Sequence, residues 1–237
     1  MTTVLLVRHG VTDANNSGVL AGWSPGVHLA DKGREQAAAL ATRLANVPVA
    51  AVVSSPLERC VETAEALVAD RDVTVETDDG LGECKYGDWT GQELKKLAKD
   101  PLWKVVQAHP SAATFPGGES LRDTQTRAVG AIRRINDRLG PDATWIAVSH
   151  GDVIKAILAD ALGLHLDLFQ RIQADPCSLS VVRYTTLRPF VVRMNDVGGS
   201  VDALRPAKRR ARSRSSDAVV GGGAGSDVTP KKKRVAR

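Results

Sequence analysis

The run Val4-Leu5-Leu6-Val7 constrains the fold most, because it is apolar without alternation and stops abruptly at Arg8-His9-Gly10. An unbroken apolar strand is buried on both faces, which is the habit of a parallel sheet covered by helices. Sheets of that kind bind ligands in the crevice beyond the C-terminal ends of their strands. The ending therefore brings a cation and an imidazole to where chemistry is done. Taken alone, His9 fits a capping or surface histidine equally well.

Strand-like runs recur at 3–7, 50–54, 73–77, 144–149, 179–184 and 189–193, with helical patterns between most of them. Residues 33–44 are rich in helix formers, with Asp31 as the candidate N-cap. Further helices are read at 57–68, with Pro56 suited to the first turn, at 120–139, opened by Ser120-Leu121-Arg122-Asp123, and at 151–162. This alternation predicts an α/β, three-layer domain with a mainly parallel sheet flanked by helices. The last two runs, separated by 185–188, pair as a hairpin and make the sheet mixed. Residues 83–118 break the pattern, holding Trp89, Trp103 and Phe115 among five lysines. Short helices over the sheet edge are expected there, in an excursion of the length that lids and substrate-binding segments take.

The chain of 237 residues reads as one core, 1–197, with an appended segment, 198–237. Its net charge of +5 divides unevenly: eleven Lys/Arg against three Asp from Gly198 onward give +8 there and leave −3 for the core. The segment's basic clusters, Lys208 to Arg214 and Lys231 to Arg234, are separated by glycine- and serine-rich stretches. Such a composition buries too little apolar surface to offset its ordering entropy, so a disordered tail is expected. It is either a bland solubilising extension or a weak contact for nucleic acid or another polyanion. No apolar run approaches the ~20 residues that cross a bilayer, and no signal-peptide pattern opens the chain. The expectation is a soluble cytoplasmic protein without membrane insertion, with homodimer formation left open. Cys60, Cys84 and Cys177 are scattered and odd in number, which suits a reducing compartment rather than a zinc site or disulfide framework.

A second apolar run, Trp145-Ile146-Ala147-Val148, ends in Ser149-His150-Gly151 and passes directly into a helical pattern, repeating the arrangement at His9. Gly151 permits close backbone approach, and a helix N-terminus favours an anion. In Ser54-Ser55-Pro56-Leu57-Glu58-Arg59 another strand ends, placing Arg59 just inside a helix, from which it can fork back toward the strand ends. Two arginines and two histidines at one sheet edge suit a tetrahedral dianion such as phosphate, since guanidinium binds phosphate oxygens bidentately. The same fixed cations oppose a divalent metal, so none is expected.

These motifs, Arg8-His9-Gly10-Val11-Thr12 with Asn15, Ser54-Ser55-Pro56-Leu57 with Arg59 and Thr63, and Ser149-His150-Gly151, resemble the histidine phosphatase superfamily, also called phosphoglycerate mutase-like. The resemblance spans about residues 1–195 and implies a phosphoglycerate mutase-like fold. It also implies that His9 is the nucleophile, forming a phosphohistidine, that Arg8, Asn15, Arg59, His150 and Gly151 bind the phosphoryl group, and that Glu83 is the general acid. His150 is thereby counted with His9 and Glu83 among the catalytic residues. No cofactor is implied. Val11 and Ala30 depart from common family patterns without removing a catalytic atom, and Pro116-Gly117-Gly118-Glu119-Ser120 resembles a loop of phosphatase-type members.

The implied enzyme is a histidine acid-type phosphatase or related phosphoryl-transfer enzyme. Family mutases usually offer arginines after the general acid, whereas this chain has none between Arg71 and Arg122. That favours a phosphomonoesterase acting on small phosphorylated metabolites over a cofactor-dependent phosphoglycerate mutase. A non-catalytic phospho-ligand binding module is the third reading.

Overall fold

The computed structural model describes residues 1–199 and 220–221. In chain order the larger elements are β1 (Thr2–Arg8), α1 (Asp13–Ser17), α2 (Asp31–Leu44), β2 (Ala51–Ser54), α3 (Glu58–Val68) and β3 (Val75–Thr77). They continue as α4 (Leu94–Leu97), α5 (Pro101–Ala108), α6 (Leu121–Leu139), β4 (Thr144–Ser149), α7 (Gly151–Ala161), β5 (Leu179–Tyr184) and β6 (Pro189–Asp196). Short 3-10 turns lie at Asp79–Leu81, Gly87–Trp89, Pro110–Ala112 and Leu166–Arg171.

The strands form one sheet in the order β3-β2-β4-β1-β5-β6. β3, β2, β4 and β1 run parallel, while β5 is antiparallel to β1 and β6 to β5. The expected mixed sheet and terminal hairpin are therefore present. Successive strand side chains point to opposite faces. Accordingly, Val4, Leu6, Val53, Trp145 and Ala147 enter the core shared with α6 and α7, and Leu5, Val7, Val52, Ile146 and Val148 pack with α2 and α3. Two helical layers enclosing the sheet make the three-layer architecture.

Several boundaries differ from expectation for physical reasons. β3 begins at Val75 rather than residue 73, because at this sheet edge it finds partners only in Val52, Val53 and Ser54. β6 runs on to Asp196, where irregular pairing brings Asp196 opposite Leu179. The N-cap of α2 is Ala30, with Asp31 the first helical residue. The turn already closes there through the Arg34 amide and the Ala30 carbonyl at 3.0 Å. Pro56 precedes the Leu57 N-cap of α3 and so stands outside the helix. α7 stops at Ala161, with Leu162 as its C-cap. The 83–118 excursion does form short helices, and its Pro110–Ala112 turn packs on α6 and on the Leu166–Arg171 turn. Its Trp89, Leu97, Val106 and Phe115 join the α6–α7 core.

Ser120 caps α6 as expected, in a reciprocal box with Asp123. All three cysteines are free and buried. No described helix is long and apolar enough to cross a membrane. The tail expected from residue 198 lies outside the described residues, except for Gly198, Gly199, Val220 and Gly221.

Candidate active site

Register alone brings the histidines together. Arg8 of β1 lies opposite Ser149 of β4, and the His9 amide donates to the Ser149 carbonyl at 3.0 Å. The two strands thus release His9 and His150 side by side, with ring centroids 5.2 Å apart. Gly10 is needed because the backbone here presses on α2: a Cβ on Gly10 would stand 2.6 Å from the Gly33 carbonyl oxygen. The Gly10 amide donates to Thr63 Oγ1 at 3.1 Å, fastening the turn to α3.

The hydrogen bonds fix both imidazoles. His9 Nδ1 lies 2.7 Å from the Gly10 carbonyl oxygen, which can only accept, so Nδ1 carries the proton and Nε2 keeps its lone pair. Burial holds the His9 pKa well below the ordinary 6.5, with Arg59 and then Arg8 adding to the effect. His150 Nδ1 accepts from the Arg59 guanidinium at 3.2 Å, so its Nε2–H donates to Ser55 Oγ at 2.8 Å. Its pKa is likewise depressed, first by burial and then by Arg59. Both rings are neutral.

Two guanidiniums stand beside them. Arg8 is 1% exposed and donates to the Ala174 carbonyl at 2.8 Å. Arg59, the second residue of α3, is 2% exposed; its Nη2 is shared between the Gly22 carbonyl and His150. Its Nη1 is buried with no hydrogen-bond partner among the described residues. A buried charged donor left unmatched by protein is costly, and an anionic ligand would satisfy it.

Glu83 faces this pair from the loop after the Asp79–Leu81 turn. Its carboxylate accepts from the Cys84 amide at 3.0 Å and approaches His150 Nδ1 to 3.7 Å. Burial pushes its pKa up to about 7, helped by the negative charge of Asp152. A carboxyl near half-protonation at neutral pH can give and take a proton.

His9, Asn15, Arg59 and Glu83 line one cavity, with Thr12 and Gly22 between them. Asn15 has a double duty: its Oδ1 accepts from the Thr12 amide at 3.0 Å in the cap of α1, leaving its NH2 group as the donor for a ligand. Gly151 opens α7, whose N-cap His150 makes no side-chain capping bond.

The structure adds residues to which the sequence reading gave no role. Ser55 orients His150. Arg127 of α6 clasps the Glu83 loop, donating to the carbonyls of Gly80, Gly82 and Glu83 at 3.0, 2.8 and 2.8 Å and pairing with Glu119 at 2.6 Å. The Trp23 indole also donates to the Glu83 carbonyl. Asp152 takes the Tyr86 hydroxyl and the Lys155 ammonium, each at 3.0 Å, in a buried network behind Glu83.

Residues 4–197 match the family model described as histidine phosphatase superfamily, branch 1. Bifunctional protein Rv2228c of Mycobacterium tuberculosis is 34% identical over 189 residues, 77% of this chain but 50% of that protein, so the chain spans about half the length of that relative. Phosphoserine phosphatase 1 of Hydrogenobacter thermophilus is 28% identical over 82% of this chain and 92% of its own length. Among solved structures, Bacillus stearothermophilus YhfR superposes with a TM-score of 0.79 at 30% identity, covering 84% of this chain and 98% of that one. Other relatives bear phosphatase and phosphoglycerate mutase names alike.

Proposed function

The chain belongs to branch 1 of the histidine phosphatase superfamily, and from that premise we propose that it is a phosphomonoesterase for small phosphorylated metabolites, working through a phosphohistidine at His9. The observation that carries this reading is the pairing of a neutral His9, its Nε2 lone pair free, with the unmatched buried Nη1 of Arg59. One is a nucleophile and the other awaits a phosphoryl oxygen.

In the first step Nε2 of His9 attacks phosphorus, the bond from phosphorus to the ester oxygen breaks, and protonated Glu83 gives its proton to the departing alkoxide. Arg8, Arg59 and Asn15 bind the phosphoryl oxygens; His150, whose two ring nitrogens meet Arg59 and Ser55, holds the Arg59 fork in place, and the Gly151 end of α7 adds its dipole. In the second step water attacks phosphorus, Glu83 takes a proton from it, and the bond from Nε2 to phosphorus breaks to release phosphate. No redox change or metal is called for.

The absence of arginine between Arg71 and Arg122 supports hydrolysis over mutase action, because nothing in that segment offers a carboxylate-gripping fork. Phosphoserine, the substrate in the name of the Hydrogenobacter relative, heads the trial substrates. Incubation with phosphoserine and p-nitrophenyl phosphate, followed by mass spectrometry under conditions that preserve phosphohistidine, should find the phosphoryl group on His9. His9→Ala should abolish both the adduct and phosphate release while remaining folded. Normal turnover by that variant would overturn the mechanism, and transfer between positions of phosphoglycerate in the presence of 2,3-bisphosphoglycerate, faster than hydrolysis, would make the protein a mutase.

A further inference from the structure

Val220 and Gly221 lie far beyond the matched 4–197 segment in sequence, yet they line the cavity that holds His9, Arg59 and Glu83. Val220 is 1% exposed and belongs to the larger hydrophobic core. The Gly221 amide donates to Asp152 Oδ2 at 2.8 Å, beside the Tyr86 hydroxyl on the same oxygen. Gly221 adopts φ +75°, and a Cβ there would stand 2.7 Å from Leu20 Cδ1. These are the contacts of a seated segment: a buried apolar anchor, a charge-assisted hydrogen bond and a close backbone approach.

What they leave open is small. The cavity holds about 30 Å³, when a single water needs about 10–15 Å³. The alcohol portion of a metabolite does not fit beside Glu83 while Val220 is in place.

We infer that Val220–Gly221 is a cover in cis, whose valine side chain occupies the place of the leaving alcohol, so that seating of the cover and binding of a monoester exclude one another. The inference rests on the phosphomonoesterase reading for the identity of the competing ligand. A protein whose binding-competent form is only partly populated shows an apparent affinity reduced by that fraction. The cover is displaced in the enzyme–substrate complex, so it raises KM and leaves kcat alone. A lid that closed over bound substrate would do the reverse, since its loss would expose the reaction to water.

The test uses the full chain with Gly221→Val, which forces a β-branched residue into φ > 0, and separately Val220→Gly, which removes the buried apolar anchor. Diethyl pyrocarbonate labelling of His9, read by mass spectrometry against the exposed His28 and His165 as internal standards, reports access without needing a substrate. Both variants should label at least about fivefold faster at His9. KM for phosphoserine and p-nitrophenyl phosphate should fall threefold or more, with kcat within twofold. Unchanged labelling overturns the cover, and so does a rise in KM or a loss of kcat. Faster labelling with no monoester bound or hydrolysed by any form keeps the cover and removes the phosphomonoesterase reading.

Discussion

Glu83 carries two opposed demands in a single side chain. Its folded pKa of about 7 lies above the ordinary 4.5 because burial disfavours the charged form, and Asp152 pushes in the same direction. Raising a carboxyl's folded pKa means that its contribution to stability is fully present below the unfolded value and is lost as pH rises toward and through the folded one. That difference corresponds to about 3 kcal/mol between pH 4.5 and 8. Glu83→Gln removes the titration, so in urea unfolding the variant should gain on the parent as pH rises from 5 to 8, by an amount approaching that figure. The cost appears in catalysis. Alkyl monoesters should lose about 10²–10⁴-fold in kcat/KM, and activated aryl esters much less, because only the alkoxide needs a proton. The parent's kcat/KM for alkyl esters should also fall above pH about 7, a limb the variant lacks. Equal losses across a leaving-group series would place the acid elsewhere.

Among the elements, the ends of helices and strands separate what the sequence discloses from what it hides. β4 and β5 were legible to the residue, because each is a continuous run whose full length finds a partner. The start of β3 was not, since an edge strand ends where its neighbour does. His9, Arg59 and His150 were legible because each follows or closely succeeds a strand end, so sequence position nearly determines place. Arg127 was hidden for the converse reason, and Ser55, although it directly follows β2, because a serine at a strand end gives no sign of the histidine 95 residues later that it meets. Arg127 sits on α6 among other charged residues, and its role comes only from carbonyls 44–47 residues earlier in the chain. α2 shows a misread cap that can be put to use. Ala30 has the extended φ and ψ of an N-cap, −70° and 166°, but no oxygen to accept from the first turn. Ala30→Ser supplies one and should stabilise the protein by about 0.5–2 kcal/mol, visible as a raised Tm, with kcat/KM unchanged because Ala30 lines no part of the cavity. A lowered Tm would mean that the half-buried Ala30 methyl packs too closely to be replaced.

For the whole molecule the question is what a core of charge −3 does with a C-terminal segment of charge +8. In the proposed site the dianion is held by Arg8 and Arg59, which lie in the core, so on that reading the segment's eleven cations are not needed to bind a phosphomonoester. Their grouping into two clusters matters more than their number, because clustered Lys and Arg release condensed counterions when they meet a polyphosphate. The 237-residue chain should therefore bind duplex DNA or RNA at low salt without sequence preference. If six or more phosphates are neutralised, affinity should fall by about 10³-fold or more between 50 and 200 mM salt. Truncation after Val197 removes both clusters and should abolish that binding, leaving kcat on p-nitrophenyl phosphate unchanged and lowering KM through loss of Val220 and Gly221. Fluorescence anisotropy with a labelled oligonucleotide, run beside steady-state kinetics, reads both effects on the same preparations. No salt-sensitive binding by the intact chain would leave the basic segment as a solubilising extension. Loss of kcat on truncation would instead place the end of the catalytic unit beyond residue 197 and join the C-terminal segment to its fold.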